Sequence, residues 1–140
     1  MRAINDVGPS AYSLPISVIS GTIPGKALTP ITYSASVSLI QIRWDATNDG
    51  GSAITDYKVL WDSGLGNGEY IYKASTAGYQ TFQVPLIGDS ESLIAGRTYS
   101  FKVIALNGVG EGPISDELSV IAASKPVKPP TPTLVSQSPT

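Results

Sequence analysis

The chain has 140 residues, a formal net charge of −2, and 14% charged against 41% hydrophobic residues. It holds no cysteine and no histidine, which excludes disulfides, thiolate or imidazole metal sites, cysteine nucleophiles and histidine-dependent triads. Without a Lys/Arg cluster, nucleic acid and anionic membrane are poor partners, and 14 glycines with 11 prolines suit short strands and turns rather than a helical bundle.

At the N-terminus, Met1-Arg2-Ala3-Ile4 opens no apolar signal-peptide core, and no run of about 18 apolar residues predicts a membrane span. Residues 3–30 instead align without gaps with residues 105–132, an offset of 102, and twelve of the 28 pairs are identical. Ala3-Ile4-Asn5-Asp6-Val7-Gly8 matches Ala105-Leu106-Asn107-Gly108-Val109-Gly110, and Ile16-Ser17-Val18-Ile19 matches Leu118-Ser119-Val120-Ile121. Pro24, Lys26, Thr29 and Pro30 match Pro126, Lys128, Thr131 and Pro132. The identity runs through apolar positions at one phase, so a tandem array is predicted. Residues 24–124 are one complete unit, residues 1–23 the end of a preceding unit, and residues 125–140 a linker and the start of a following one.

Within the complete unit, apolar residues alternate with polar ones at period two, which predicts strands. Seven are expected, near 27–34, 37–45, 53–62, 68–74, 79–84, 97–107 and 113–123. Ile40, Ile42 and Trp44 alternate with Gln41 and Arg43; Tyr57, Val59 and Trp61 with Lys58 and Leu60; Tyr99, Phe101, Val103 and Ala105 with Ser100, Lys102 and Ile104. Phe82 and Val84 flank Gln83, and Leu118 and Val120 flank Ser119. Turn residues separate the runs: 48–51, 64–68, 85–89, 95–96 and 108–113. Seven short strands, each apolar on one face, call for two packed antiparallel sheets. The core is expected at Trp44, Tyr57, Val59, Phe82, Tyr99, Phe101 and Val103. Gln41, Arg43, Lys58 and Lys102 are expected outside.

The same residues carry a likeness. Trp44 closes the second strand; 49–59 looks like the turn into a third strand; Leu93 stands six residues before Tyr99; Tyr99-Ser100-Phe101-Lys102-Val103-Ile104-Ala105-Leu106-Asn107 looks like a sixth strand. In that order and spacing, with the tandem period, the unit resembles a fibronectin type III domain over nearly all of its 100 or so residues. The resemblance implies an immunoglobulin-like, seven-stranded antiparallel β-sandwich. It also implies a tyrosine corner in which the Tyr99 hydroxyl bonds backbone near Leu93, with Leu93 itself in the core. The Arg-Gly-Asp sequence that some family members present to integrins is missing. The corresponding stretch reads Val109-Gly110-Glu111-Gly112-Pro113, and in the preceding unit Val7-Gly8-Pro9, so that activity is not carried over.

Candidate sites are few. Asp45, Asn48, Asp49, Asp56 and Asp62 cluster near the second and third strands, but calcium needs six to eight converging oxygens, and turn formation is the preferred reading. The acidic pairs Asp89/Glu91 and Asp116/Glu117 lack an enclosing pocket, so no catalytic dyad is assigned. Gly64-Leu65-Gly66-Asn67-Gly68 reads as a hairpin turn, not a phosphate loop. No cofactor and no metal is expected. Tyr70, Tyr72 and Leu65 are the candidate protein-contact residues; Tyr79 and the two tyrosines before it either anchor a partner or cover a sheet edge. None of Asn5, Asn48, Asn67 and Asn107 begins a glycosylation sequon. Thr131, Thr133, Ser136, Ser138 and Thr140 are read as the next unit's first strand rather than as O-glycosylation sites.

The function expected is a non-catalytic structural repeat of a large multidomain protein, a spacer in a filament, surface coat or other assembly. Its expected partners are neighbouring repeats and other protein subunits. The alternatives are an adhesion or receptor-type binding module and a spacer of a secreted carbohydrate-active enzyme. Extracellular or cell-surface placement stands beside a large intracellular scaffold, because a domain without cysteines works in either.

Overall fold

The computed structural model describes residues 1–18, 20–85, 92–124, 126 and 128–131. The expectations for Ile19, Asp89, Glu91, Thr133, Ser136, Ser138 and Thr140 lie outside the described residues.

A short hairpin opens the chain, β1 (Ile4–Asn5) paired with β2 (Gly8–Pro9). Seven strands follow among the described residues: β3 (Ile31–Ala35), β4 (Ile40–Arg43), β5 (Ile54–Trp61), β6 (Ile71–Ser75), β7 (Thr81–Val84), β8 (Thr98–Asn107) and β9 (Leu118–Ile121). They form a three-stranded sheet, β3-β4-β7, and a four-stranded sheet, β6-β5-β8-β9, with every pairing antiparallel. The period-two alternation sets which face turns inward. In β5, Tyr57, Val59 and Trp61 are buried while Lys58 and Leu60 between them are only half-buried. The register Tyr57↔Ala105, Val59↔Val103, Trp61↔Phe101 puts the inward residues of both strands side by side.

One core lies between the sheets. Ile40, Ile42, Trp44, Phe82 and Val84 from one side meet Tyr57, Val59, Trp61, Tyr99, Phe101, Val103, Ala105 and Val120 from the other. Leu93 is partly buried and packs on its edge. Trp44 meets Tyr57 edge-on at 5.6 Å, and Trp61 stacks on Tyr99 at 5.8 Å and on Phe101 at 6.4 Å. The Tyr99 hydroxyl accepts the Ile94 N–H at 2.9 Å, so Tyr99→Phe should cost about 1–3 kcal/mol. A denaturation midpoint equal to that of the unaltered chain would contradict this.

Three departures from the expected pattern have physical causes. The first strand begins at Ile31, not 27, because residues 22–27 bond to loops instead of a strand. The Gly25 N–H donates to the Asn48 carbonyl at 2.9 Å and the Ala27 N–H to the Pro113 carbonyl at 3.3 Å. Pro24 and Pro30 have no N–H to give a ladder. The last strand shortens to Leu118–Ile121, and Ser115 alone ties the preceding stretch to Val103, by both its N–H and its hydroxyl. Third, of the polar residues expected outside, Arg43 is exposed, but Gln41, Lys58 and Lys102 are half-buried. Gln41 bonds Gln83 across the strands at 3.3 Å, Lys58 pairs with Glu111, and Lys102 lies 4.1 Å from the Tyr70 ring centre. Each long side chain lies along the sheet and keeps its polar end satisfied.

Candidate functional site

The three candidate contact residues do not present equally. Tyr70 is half-buried over the outer face of the four-stranded sheet. Its hydroxyl donates to Glu117 Oε2 at 2.5 Å, beneath the Lys102 ammonium. Glu117 Oε1 in turn accepts the hydroxyls of Ser100, at 3.1 Å, and Ser119, at 2.8 Å. Tyr70 is therefore engaged within its own sheet. Tyr72 and Leu65 remain exposed, at 57% and 67%, and Tyr79, on the loop before β7, at 73%.

This network shifts both partners. Burial, then the hydrogen bond to Glu117, pushes the Tyr70 phenol up to about 12. The Tyr70 hydroxyl, with those of Ser119 and Ser100, holds Glu117 below the usual glutamate value. A raised tyrosine value means that the fold favours the neutral phenol. Its contribution is full below the ordinary value of about 10 and disappears as pH climbs towards the folded one. For Glu117 the contribution is present above the ordinary glutamate value and is lost as pH falls through the depressed one. Ring resonances of Tyr70 should thus stay in the phenol form one unit past about pH 10, and Glu117→Gln should bring the titration down. Titration of Tyr70 near 10 in the unaltered chain would contradict the network.

The aspartates organise loops. Asp62, 4% exposed, accepts the Ser100 N–H at 2.9 Å and the Gly64 N–H at 2.8 Å on Oδ1, and the Gly66 N–H at 3.3 Å on Oδ2. Asn48 and Asp49 close the turn at 48–51 by accepting the Gly50 and Gly51 N–H groups. Burial opposes ionisation at Asp56, but the Ser75 hydroxyl and the backbone N–H groups of Tyr57, Ala77 and Thr76 outweigh it and lower its value. Asp116 pairs with Lys26 at 2.7 Å while Glu117 faces Tyr70, so the two acids are used separately. Among the described residues no three acidic side chains converge on a metal position, and no helix is long and apolar enough to cross a membrane.

A further polar arrangement sits in the hairpin between β8 and β9, and it occurs twice. Asn107 Oδ1 accepts the N–H groups of Val109, at 2.9 Å, and Gly110, at 3.1 Å. Asn5 Oδ1 accepts those of Val7, at 2.9 Å, and Gly8, at 3.1 Å. The Gly112 N–H reaches the Ala105 carbonyl at 2.8 Å, and the Ser10 N–H reaches the Ala3 carbonyl at 2.8 Å. Ser115 bonds Val103 through its N–H and hydroxyl at 2.8 and 2.9 Å. Ser13 does the same to Met1 at 2.8 and 3.0 Å. Every pair is displaced by the offset of 102 residues. The sequence assigns Asn107 and Ser115 no structural role, although the repeated Asn5 and Ser13 are a signal for both, and it reads Asp62 only as a turn residue, without the Ser100 N–H that it accepts.

Comparison with known proteins agrees with this architecture. The family described as "Fibronectin type III domain" matches residues 29–121. Fibronectin type-III domain-containing protein 3A of Mus musculus is 32% identical over 127 residues, covering 88% of this chain and 10% of that protein. The titin homolog of Caenorhabditis elegans is 29% identical over 123 residues, covering 86% of this chain and 1% of that protein. The chain therefore spans a tenth or less of these relatives' length. The solved sixth fibronectin type III domain of human fibronectin type III domain containing protein 3 superposes with a TM-score of 0.60 at 22% identity, covering 81% of this chain and 97% of that one. With an all-β, antiparallel two-sheet architecture and the family match running from β3 through β9, the chain belongs to the fibronectin type III domain family.

Proposed function

We propose that the chain is a non-catalytic spacer from a tandem array. Residues 24–124 form one module, residues 1–23 end the module before it, and residues 125–140 lead into the module after it. The observation that carries this reading is the doubled hairpin: residues 1–13 repeat the hydrogen bonds of residues 103–115 at one constant offset. The segment that follows supports it. Tyr12, Leu14, Ile16 and Val18 alternate like the last strand, and all four are exposed, between 73% and 91%. A stripe of that kind needs a sheet to lie on, and in an array the preceding module supplies one. The relatives are also far longer than one module. The partners of this reading are neighbouring modules, joined head to tail as in an extended filament.

Stretching the full-length protein as a single molecule tests the role. A spacer array should unfold in recurring steps, each about 300 Å of new contour. That follows from a repeat of 102 residues at about 3.3–3.6 Å apiece, less the folded length. A trace without a recurring step of that size would refute the array.

A further inference from the structure

We infer that Asn107 and the 47–51 loop form a clamp on the connector at residues 22–26, fixing the direction in which the preceding module leaves this one. The consequence for module orientation rests on the array reading; the clamp itself does not.

Asn107 is 7% exposed and its amide is fully used. While Oδ1 holds the hairpin turn, Nδ2 donates to the Thr22 carbonyl at 2.7 Å and to the Asp49 carbonyl at 2.8 Å. One side chain thereby joins three separate backbones: the β8–β9 hairpin, the loop after Trp44, and the connector. The connector is bonded along that loop as well. The Thr22 N–H donates to the Gly50 carbonyl at 2.8 Å and the Gly25 N–H to the Asn48 carbonyl at 2.9 Å, and the Thr47 hydroxyl donates to the Lys26 carbonyl at 2.8 Å.

Two glycines permit the approach. Gly50 has φ +67°, and a Cβ there would stand 2.5 Å from the Thr22 carbonyl oxygen and 2.6 Å from that of Ile23. A Cβ on Gly112 would stand 2.7 Å from the Pro24 carbonyl oxygen. A connector that only spaced two modules would be solvated and would need none of this. Here its carbonyls and N–H groups are held by side-chain and backbone partners of the downstream module. Because Asn5 makes the same turn as Asn107, the clamp's central residue recurs one module upstream. An array built this way carries a clamp at each joint, and its bend is set by hydrogen bonds rather than by linker length.

Asn107→Asp isolates the clamp. The carboxylate retains an acceptor for Val109 and Gly110 but has no donor, and it sets an anionic oxygen against two carbonyls. In the 1–140 chain, the Thr22 amide should exchange with solvent at least about tenfold faster than in the unaltered protein, while the Val109 and Gly110 amides keep their protection. Unchanged Thr22 exchange in folded Asn107→Asp would overturn the clamp. Should that variant not fold, Gly50→Ala, which displaces the connector from the other side, must free the Thr22 amide; failure to do so overturns the clamp equally. Spin labels on this module and on the one before it, in the full-length protein, then read the joint. A narrow distance distribution that broadens in Asn107→Asp supports the inference. A distribution already broad, or one that stays narrow, overturns the orientation claim. A full-length chain lacking a folded upstream module would refute the array reading and leave the Thr22 result standing.

Discussion

Trp44→Ala should destabilise the domain by about 3–5 kcal/mol, the largest loss expected from any one side chain here. Trp44 is 3% exposed just after β4, edge-on to Tyr57. It faces a core fixed by strands on both sides, so the space it leaves cannot collapse. Its buried indole Nε1–H has no partner among the described residues, and a donor buried in that way carries a cost. Trp44→Phe removes that orphan donor and keeps an aromatic ring in place, so it should cost less than about half as much. Urea denaturation of both variants measures the difference. A phenylalanine variant as unstable as the alanine one would show that the indole donor is satisfied or that ring size alone matters.

The second large effect is expected at Asp62. Asp62→Ala removes the acceptor for three backbone N–H groups, of which that of Ser100 is buried inside the four-stranded sheet. A buried donor left without a partner costs about 1–3 kcal/mol, and the loop with positive φ at Ser63, Gly64 and Gly66 loses what holds it. A loss of about 2–4 kcal/mol is expected from these two effects together. Asp62→Asn keeps a carbonyl oxygen for Ser100 and Gly64 and should cost about 1 kcal/mol. Equal midpoints for the alanine and asparagine variants would contradict the account, since only one of them retains the acceptor.

The fold was legible because its information is periodic. Burial on one face leaves an alternation that names Tyr57, Val59, Tyr99, Phe101 and Val103 as inward residues from their spacing alone. The boundaries were not legible. Whether residues 24–30 join a ladder depends on where Asn48 and Pro113 lie in space, and alternation does not encode that. The same limit applies to Tyr70. Its place beside β6 leaves a partner anchor and a cover for the sheet edge both open, and alternation does not encode that Glu117, 47 residues later, accepts its hydroxyl. Asp62 read as one of several acidic turn residues, because nothing local marks which aspartate will find a buried N–H on another strand. The clamp was half legible: the repeat displayed Asn5 and Asn107 as equivalent, but the Nδ2 partners at Thr22 and Asp49 come from distant parts of the chain.

Placing residues 1–23 in a preceding module is the claim on which the function rests, and hydrogen exchange at Ile16 and Val18 tests it most directly. In the 1–140 chain both side chains are exposed, at 87% and 78%, and their amides should exchange at nearly the unfolded rate. In the full-length protein they should be protected, and should open together with the sheet of the preceding module. Fast exchange in both proteins, or protection already present in 1–140, would contradict the account.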